Sequence, residues 1–442
     1  MGKIKEYPSY YNSQKSWPLE IPENWKLYRL KHVFEITKRI VGELGHDVLS
    51  ITQKGIKVKD TESGAGQLSM DYSKYQQVDK GDFAMNHMDL LTGFVDISKY
   101  EGVVSPDYRV FKLTHNESDS NYLLYILQLC YTQKIFFGHG KGVSMLGRWR
   151  LPSENFKNFI IPIPPKDEQT AIAAFLCYKL IKIDRFIRKK KQLIKLLNEQ
   201  KAAIINHAVT KGINPKVKMK PSGIEWLGDI PEHWEVMRLK YLAKICNGSD
   251  CDKKEVGAYP VFGSGGVFGR TDSILYDKVS VLLGRKGTID RPQFVNEPFW
   301  TVDTAFYTKI KEEIVNPLFL YFLCCNIHFG FYSSKTALPS MTQTSLYCVK
   351  FTVPSKVEQK AIVEYIESES SKRNAAIYTI EKEISLTQEY RTALIAEAVT
   401  GKIDVRDFVI PEEKEEEIYE ELEEELNIVA ENETEYEIVE EN

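Results

Sequence analysis

The chain has 442 residues, more than one hydrophobic core usually serves, so two or more domains are expected. Hydrophobic residues make up 43% and charged residues 27%, an ordinary globular composition, and no stretch reaches the roughly 18 apolar residues of a membrane span. The net charge of −4 hides an asymmetry: residues 412–442 hold 16 Glu and one Lys, −15 in all, which leaves +11 on the rest and favours a polyanionic partner.

The N-terminus is polar and aromatic and lacks the apolar core of a signal peptide. Seven cysteines are scattered with no Cys-x-x-Cys pair, which reads as reduced thiols rather than a disulfide frame or a zinc site. A cytoplasmic protein without metal or cofactor is therefore expected.

The first element in chain order, IPENWKLYRLK at 21–31, returns as IPEHWEVMRLK at 230–240 with seven of eleven positions identical. IPPKDEQTAI at 163–172 likewise returns as VPSKVEQKAI at 353–362, six of ten identical, at an offset of 190. That offset holds without a gap to AlaValThr at 208–210 and 398–400. The middles match loosely: NYLLYIL at 121–127 resembles PLFLYFL at 317–323, and both predict short helices. Each copy is thus a start motif, a divergent middle, an apolar strand ending in Pro, and a helix. A duplicated frame with two different inserts suits a protein that recognises two different things.

The middles read as β-rich. SILYDKVSVLLG (273–284), FWTVDTAFYTKI (299–310) and YRVFKL (108–113) are β-branched and aromatic, bounded by Gly, Asp and Pro. From Glu168 to about Val209 there is no Pro or Gly. Apolar residues recur there at steps of three and four through Ile172, Leu176, Leu180, Ile183, Ile187, Ile194, Leu197, Ile204 and Ala208, with Lys190 and Lys201 at two seam positions. The second copy gives Ile362, Ile366, Ile377, Ile380, Ile384, Leu394 and Ala398. A period near 3.5 predicts a coiled-coil seam, and about 40 residues give a helix roughly 60 Å long. Two matching helices in one chain are expected to pair antiparallel; packing of each on its own domain is the alternative. The linker at 211–231 is basic and punctuated by Pro and Gly. The acidic tail reads as solvated and disordered, with mimicry of nucleic-acid charge as a second reading.

Several of these segments resemble the specificity subunits of type I restriction–modification systems. They are PSGIEWLGDIPEHWEVMRLK (221–240), YPVFGSGGVFGR (259–270), VSVLLGRKGTI (279–289), PFWTVDTAFY (298–307) and the two Pro-x-x-x-Glu-Gln-x-Ala-Ile boxes. GDFAMNHMDLLTGFVDISKYEGVVSPDYRVF (81–111) resembles a first-domain variant of the family. The resemblance covers roughly residues 8–404 and implies an α+β chain: two β-rich target-recognition domains joined by two long antiparallel coiled-coil helices. The expected division is a first recognition domain at 1–165, a central helix at 166–212, a second recognition domain at 213–353, a C-terminal helix at 354–404 and an acidic tail at 405–442. The resemblance further implies that each domain reads one half of a bipartite, asymmetric site on double-stranded DNA. The helices would set the spacer and dock two methyltransferase subunits, translocase–nuclease subunits would join them, and this chain would carry no catalysis.

Bases are read by side chains that match their edges, and affinity comes from Lys and Arg on phosphates, both from polar loops on a rigid scaffold. In the second middle, GSGGVFGR offers Gly263, Ser264 and Gly266 for close backbone approach, with Arg270 beside them. Arg285 and Lys286 follow an apolar strand, Arg291 is near, and Lys335, Thr342 and Gln343 sit around a polar stretch. In the first middle the corresponding loop carries Asn86 and His87, with Lys141, Arg148 and Arg150 further on.

Two alternatives are a stand-alone DNA methyltransferase or nuclease and a protein-only scaffold. The nearest string to a methyltransferase Asn-Pro-Pro-aromatic loop is NPLF at 316–319, which Leu318 breaks. The acidic-x-Lys that would follow Pro106-Asp107 in a nuclease falls in the seam helix, at Glu199 and Lys201. GSGGVFGRT has one residue too many, and Arg where a P-loop needs Lys.

Overall fold

A computed structural model describes residues 5–411 apart from 16, 61–71, 143–148, 225, 253 and 334–338. Arg148, Lys335 and the acidic stretch 412–442 therefore lie outside the described residues. Four helices carry the architecture: α1 (Ser120–Thr132), α2 (Lys166–Lys211), α3 (Pro317–Cys325) and α4 (Lys356–Val399). The described residues divide into two compact units. One is Lys189–Lys382; the other combines the chain up to Arg188 with the chain from Glu383 onward.

In the first unit, β1 (Phe34–Thr37), β2 (Phe83–Met85), β3 (Val95–Ile97) and β4 (Arg109–Leu113) form an antiparallel sheet in the order β1-β4-β2-β3. Successive side chains point to opposite faces. Phe83, Met85 and Phe111 therefore join the core under α1, while Ala84 and Val110 pack with the hairpin residues Leu49, Ile51 and Ile56. In the second unit, β5 (Ala243–Asn247), β6 (Ser280–Gly284), β7 (Gln293–Val295) and β8 (Ala305–Ile310) form a sheet in the order β5-β8-β6-β7. Val281, Leu283 and Phe306 face α3, whereas Leu282 and Tyr307 face a second cluster around Phe299. The two divergent middles thus share one strand order. The strand predicted over 273–284 begins only at Ser280; upstream of it, Tyr276 makes an isolated bridge to Phe299.

The repeated boxes lock the frame. In the first unit Lys26–Arg29 pairs with Ile160–Ile163, and in the second Glu235–Arg238 pairs with Lys350–Val353. Buried Glu168 accepts from Trp25 Nε1 at 2.7 Å, from Asn24 Nδ2 at 3.0 Å and from the Tyr7 hydroxyl. Glu358 repeats this with Trp234 Nε1 at 3.0 Å and His233 Nε2 at 2.8 Å. The adjacent Gln169 accepts from the Asp119 amide at 2.8 Å and donates to the Glu117 and Pro164 carbonyls. Gln359 does the same with the Asn316 amide at 2.7 Å and the Ile314 and Pro354 carbonyls. Asp119 and Asn316 in turn cap α1 and α3 by accepting from the second and third amides beyond them. The Trp, Glu and Gln of the boxes are identical between the copies and make the same bonds in both.

Within the first unit, Ile172, Leu180 and Ile187 of α2 share a core with Leu394 and Ala398 of α4. Within the second, Ala208 and Val209 of α2 share a core with Ile362 and Ile366 of α4. In each unit the start of one long helix lies against the end of the other, so the two run antiparallel. The shielded positions 183, 187, 190, 194, 197, 201, 204 and 208 of α2 step by four and three throughout, the heptad seam expected from the sequence. Lys201 holds its seam place by donating to Asn374 Oδ1 at 3.0 Å. Gly212 (φ 80°) and Gly401 (φ 74°) take left-handed backbone just past the two helix ends, where other residues would be strained.

Candidate nucleic-acid interface

The sheets deliver their loops at the ends of β2 and β6. In the first unit Asn86 follows β2, and its Oδ1 accepts from the Met88 amide at 3.2 Å while the Tyr131 hydroxyl donates to its carbonyl at 2.8 Å. The loop closes at Gly93, where an added Cβ would sit 2.1 Å from the Asp89 carbonyl oxygen and 2.5 Å from that of Asn86. His87 accepts on its carbonyl from the Leu151 amide at 2.9 Å, strapping the loop to the segment before the short helix Ser153–Asn158. In the second unit the Arg285 carbonyl accepts from the Met341 amide at 2.9 Å, before the short helix Gln343–Cys348. Leu151 and Met341 lie 190 residues apart, the offset of the repeat. His87 and Arg285 therefore occupy equivalent places on one frame.

His87 is half-buried, and burial, then the nearby Arg109 and Arg150 charges, push its pKa down to about 4. The ring is neutral at neutral pH, and its buried Nδ1 has no hydrogen-bond partner among the described residues. Arg109, in the strand segment YRVFKL, is 3% exposed. It donates to the Leu151 carbonyl at 2.9 Å and to Ser153 Oγ at 3.3 Å, and stacks 4.7 Å over the Phe156 ring. Burial lowers its pKa to about 10, so it remains a cation beneath the loop. Lys141 and Arg150 are exposed and face each other across an antiparallel bridge, their amides donating to each other's carbonyls at 2.8 and 3.0 Å. Like charges placed opposite repel, and a phosphate relieves that repulsion. A cavity of about 370 Å³ beside this loop is lined by Asn86, Met88, Asp89, Lys59, Tyr75 and Tyr108; of these, Lys59 and Tyr75 carried no sequence motif.

In the second unit the hairpin Tyr259–Gly263/Gly266–Thr271 presents its turn to the Arg285 loop. Gln293 Nε2 donates to the Gly263 and Ser264 carbonyls at 2.9 and 3.3 Å, and the Ser264 amide donates to Thr304 Oγ1 at 3.3 Å. A Cβ on Gly287 would lie 3.4 Å from Ser264 Oγ, so the two loops touch. Gly266 has φ 120°, which the turn requires. Half-buried Arg285 donates to the Asp303 carbonyl at 3.4 Å, and Lys286 is exposed and bridged to Ser340. Thr342 caps the short helix by accepting from the Ser345 amide at 3.0 Å, while Gln343 donates to Asn247 Oδ1 at 3.0 Å. Arg291 is exposed two residues before Gln293. Arg270 stands apart from this group. It sits at the base of the hairpin, opposite Pro260, and its guanidinium donates to the Gly257 and Ala258 carbonyls at 2.6 and 2.7 Å.

The sequence profile of the type I restriction modification DNA specificity domain matches the chain twice, over residues 22–196 and 231–386. The chain belongs to this specificity family. Its members have no catalytic activity of their own; the enzyme activities reside in partner subunits. The type I restriction enzyme MjaVIII specificity subunit of Methanocaldococcus jannaschii is 24% identical over 446 residues, covering 91% of this chain and 98% of the relative. The putative MjaX specificity subunit of the same organism is also 24% identical, over 89% of this chain and 97% of its own length. A chain from a solved structure described as the basis of complex assembly and conformational transition of the type I R-M system shares the fold. It has a TM-score of 0.65 and 14% identity, and the match covers 87% of this chain and all of that one. The two profile matches correspond to the two copies of the frame. The seven cysteines are free thiols, and no helix among the described residues is long and apolar enough to cross a membrane.

Proposed function

We propose that the specificity subunit reads an asymmetric bipartite DNA site, one half with the Asn86–Asp89 loop of the first unit and the other with the Arg285–Thr288 loop of the second. One observation carries this reading. The frame repeats down to individual hydrogen bonds, yet the equivalent strapped loop position holds neutral His87 in one unit and cationic Arg285 in the other. Arginine pairs with guanine O6 and N7, whereas a neutral imidazole with its Nδ1 buried presents Nε2 alone, as a single donor or a single acceptor. Lys141, Arg148 and Arg150 in the first unit, and Lys286, Arg291 and Lys335 in the second, supply phosphate contacts. Gly263, Ser264 and Gly266 offer a turn without bulk, and Thr342 and Gln343 at the start of the short helix add polar groups for base or phosphate contacts. Arg270 serves the hairpin first, and any DNA contact it makes is secondary. The long helices set the distance between half-sites and dock two methyltransferase subunits, to which translocase–nuclease subunits add.

The test is methylation mapping of the assembled complex with single variants. Arg285→Ala should relax base preference in one half-site, and His87→Ala in the other, each worth about 1–3 kcal/mol of discrimination. Uniform weakening at every sequence, with preference intact, would reduce both residues to phosphate or structural roles.

A further inference from the structure

Beyond its end at Val399 the chain stays on the first unit. The Asp404 amide donates to the Lys5 carbonyl at 2.8 Å, and the Arg406 guanidinium bonds Asp404 and lies 5.0 Å over the Tyr7 ring. Phe408 sets its ring against Phe175 at 4.9 Å and Tyr178 at 5.6 Å, both on α2. Residue 408 is thereby pinned on α2 at the point where a basic run begins.

From Lys179 to Lys195 that helix carries eight Lys and Arg and a single acid, Asp184, to which Arg391 donates at 3.3 Å. The Lys179 ammonium is 6.0 Å from the Phe408 ring, and Lys182 sits exposed one turn beyond Tyr178. The frame does not require this charge. The positions 190 residues later, 369–385 of α4, hold three cations and three acids. The run is therefore particular to one helix of a duplicated pair. The remaining 31 residues of the chain, with their 16 Glu, start four residues after Phe408. Four residues span at most about 14 Å, enough to bring the first glutamates beside Lys179 and Lys182. A tether this short gives a local concentration on the order of mM.

We propose that the acidic segment 412–442 docks along the basic run 179–195 of α2 and screens it from the phosphate backbone of non-cognate DNA. The partner of this surface is a segment of the same chain. The consequence for DNA rests on the DNA-reading function above, whereas the contact itself does not. Specific reading uses the loops and is left intact, while sequence-independent attraction, which scales with the number of phosphates that Lys and Arg neutralise, is reduced.

The contact is tested in the full chain by zero-length carbodiimide cross-linking and mass spectrometry. Links from tail glutamates to Lys179, Lys182, Lys189, Lys191 and Lys195 are expected; links confined to other lysines would overturn the proposal. The consequence is tested with the ten glutamates between 412 and 425 changed to Gln. Affinity for a duplex lacking the recognition site should rise about tenfold at 50 mM salt, with a steeper dependence on log salt. Adding Lys182→Gln, Lys189→Gln, Lys191→Gln and Lys195→Gln should abolish the gain. An unchanged affinity, or a gain that survives these substitutions, refutes screening at this surface. If neither chain binds any duplex while the cross-links form as expected, the DNA-reading function fails and the docked tail stands.

Discussion

Removing the Glu168 carboxylate tests whether the repeated boxes hold the frame. Glu168 is 4% exposed and accepts from Trp25, Asn24 and Tyr7, of which Trp25 and Tyr7 are buried. Glu168→Ala removes the acceptor of two buried donors. Each stranded donor costs about 1–3 kcal/mol, so a loss of about 2–6 kcal/mol is expected. Glu168→Gln keeps one acceptor oxygen and should cost about 1–3 kcal/mol. The equivalent Glu358 is 24% exposed, and its second donor, His233, is 52% exposed. Water rehydrates His233 in Glu358→Ala, so only Trp234 is stranded and the cost should be about 1–2 kcal/mol. Urea denaturation of the full chain, with hydrogen exchange resolving the two units, measures both. A double-mutant cycle with Trp25→Phe should return a coupling of about 1–3 kcal/mol. Losses for Glu168→Ala below about 0.5 kcal/mol, or equal losses at the two sites, would refute the reasoning.

Other outcomes follow from the same geometry. His87 has a folded pKa near 4 against an ordinary 6.5, so the unfolded chain binds the extra proton between these values. Stability should rise with pH across that window and level off above it, and His87→Gln should flatten the rise; a pH series of denaturation midpoints checks the sign. Arg109→Lys loses the planar guanidinium stacked over Phe156 and shortens the reach to the Leu151 carbonyl and Ser153, so amide exchange in residues 149–153 should speed up while the β1–β4 sheet stays protected. Inserting seven residues into both α2 and α4 keeps the seam in phase and adds about 10.5 Å to the helix pair. The preferred gap between half-sites should lengthen by about three base pairs, and an unchanged gap would remove the helices as the ruler.

The frame was legible in the sequence because its residues bond to each other: Trp25 with Glu168 and Trp234 with Glu358 are invariant between copies for that reason. The seam was legible through its period, lysines included. The common strand order of the middles was hidden. Phe83, Ala84 and Met85 are all buried, as are all five residues of Ser280–Gly284. With both sheet faces covered, strands of three to five residues show no alternation to align. Arg109 was hidden for the same reason, since a cation inside YRVFKL reads as a solvent-facing strand residue. Arg270 shows the opposite error, a loop arginine spent on its own backbone.

Two readers on one repeated frame should be exchangeable one at a time. Replacing residues 40–160 with the matching segment of a relative of different specificity, in the assembled methyltransferase complex, tests it by genome-wide mapping of methylated adenines. One half of the recognised sequence should change, with the other half and the spacer untouched. A change in both halves, or in neither, would contradict it.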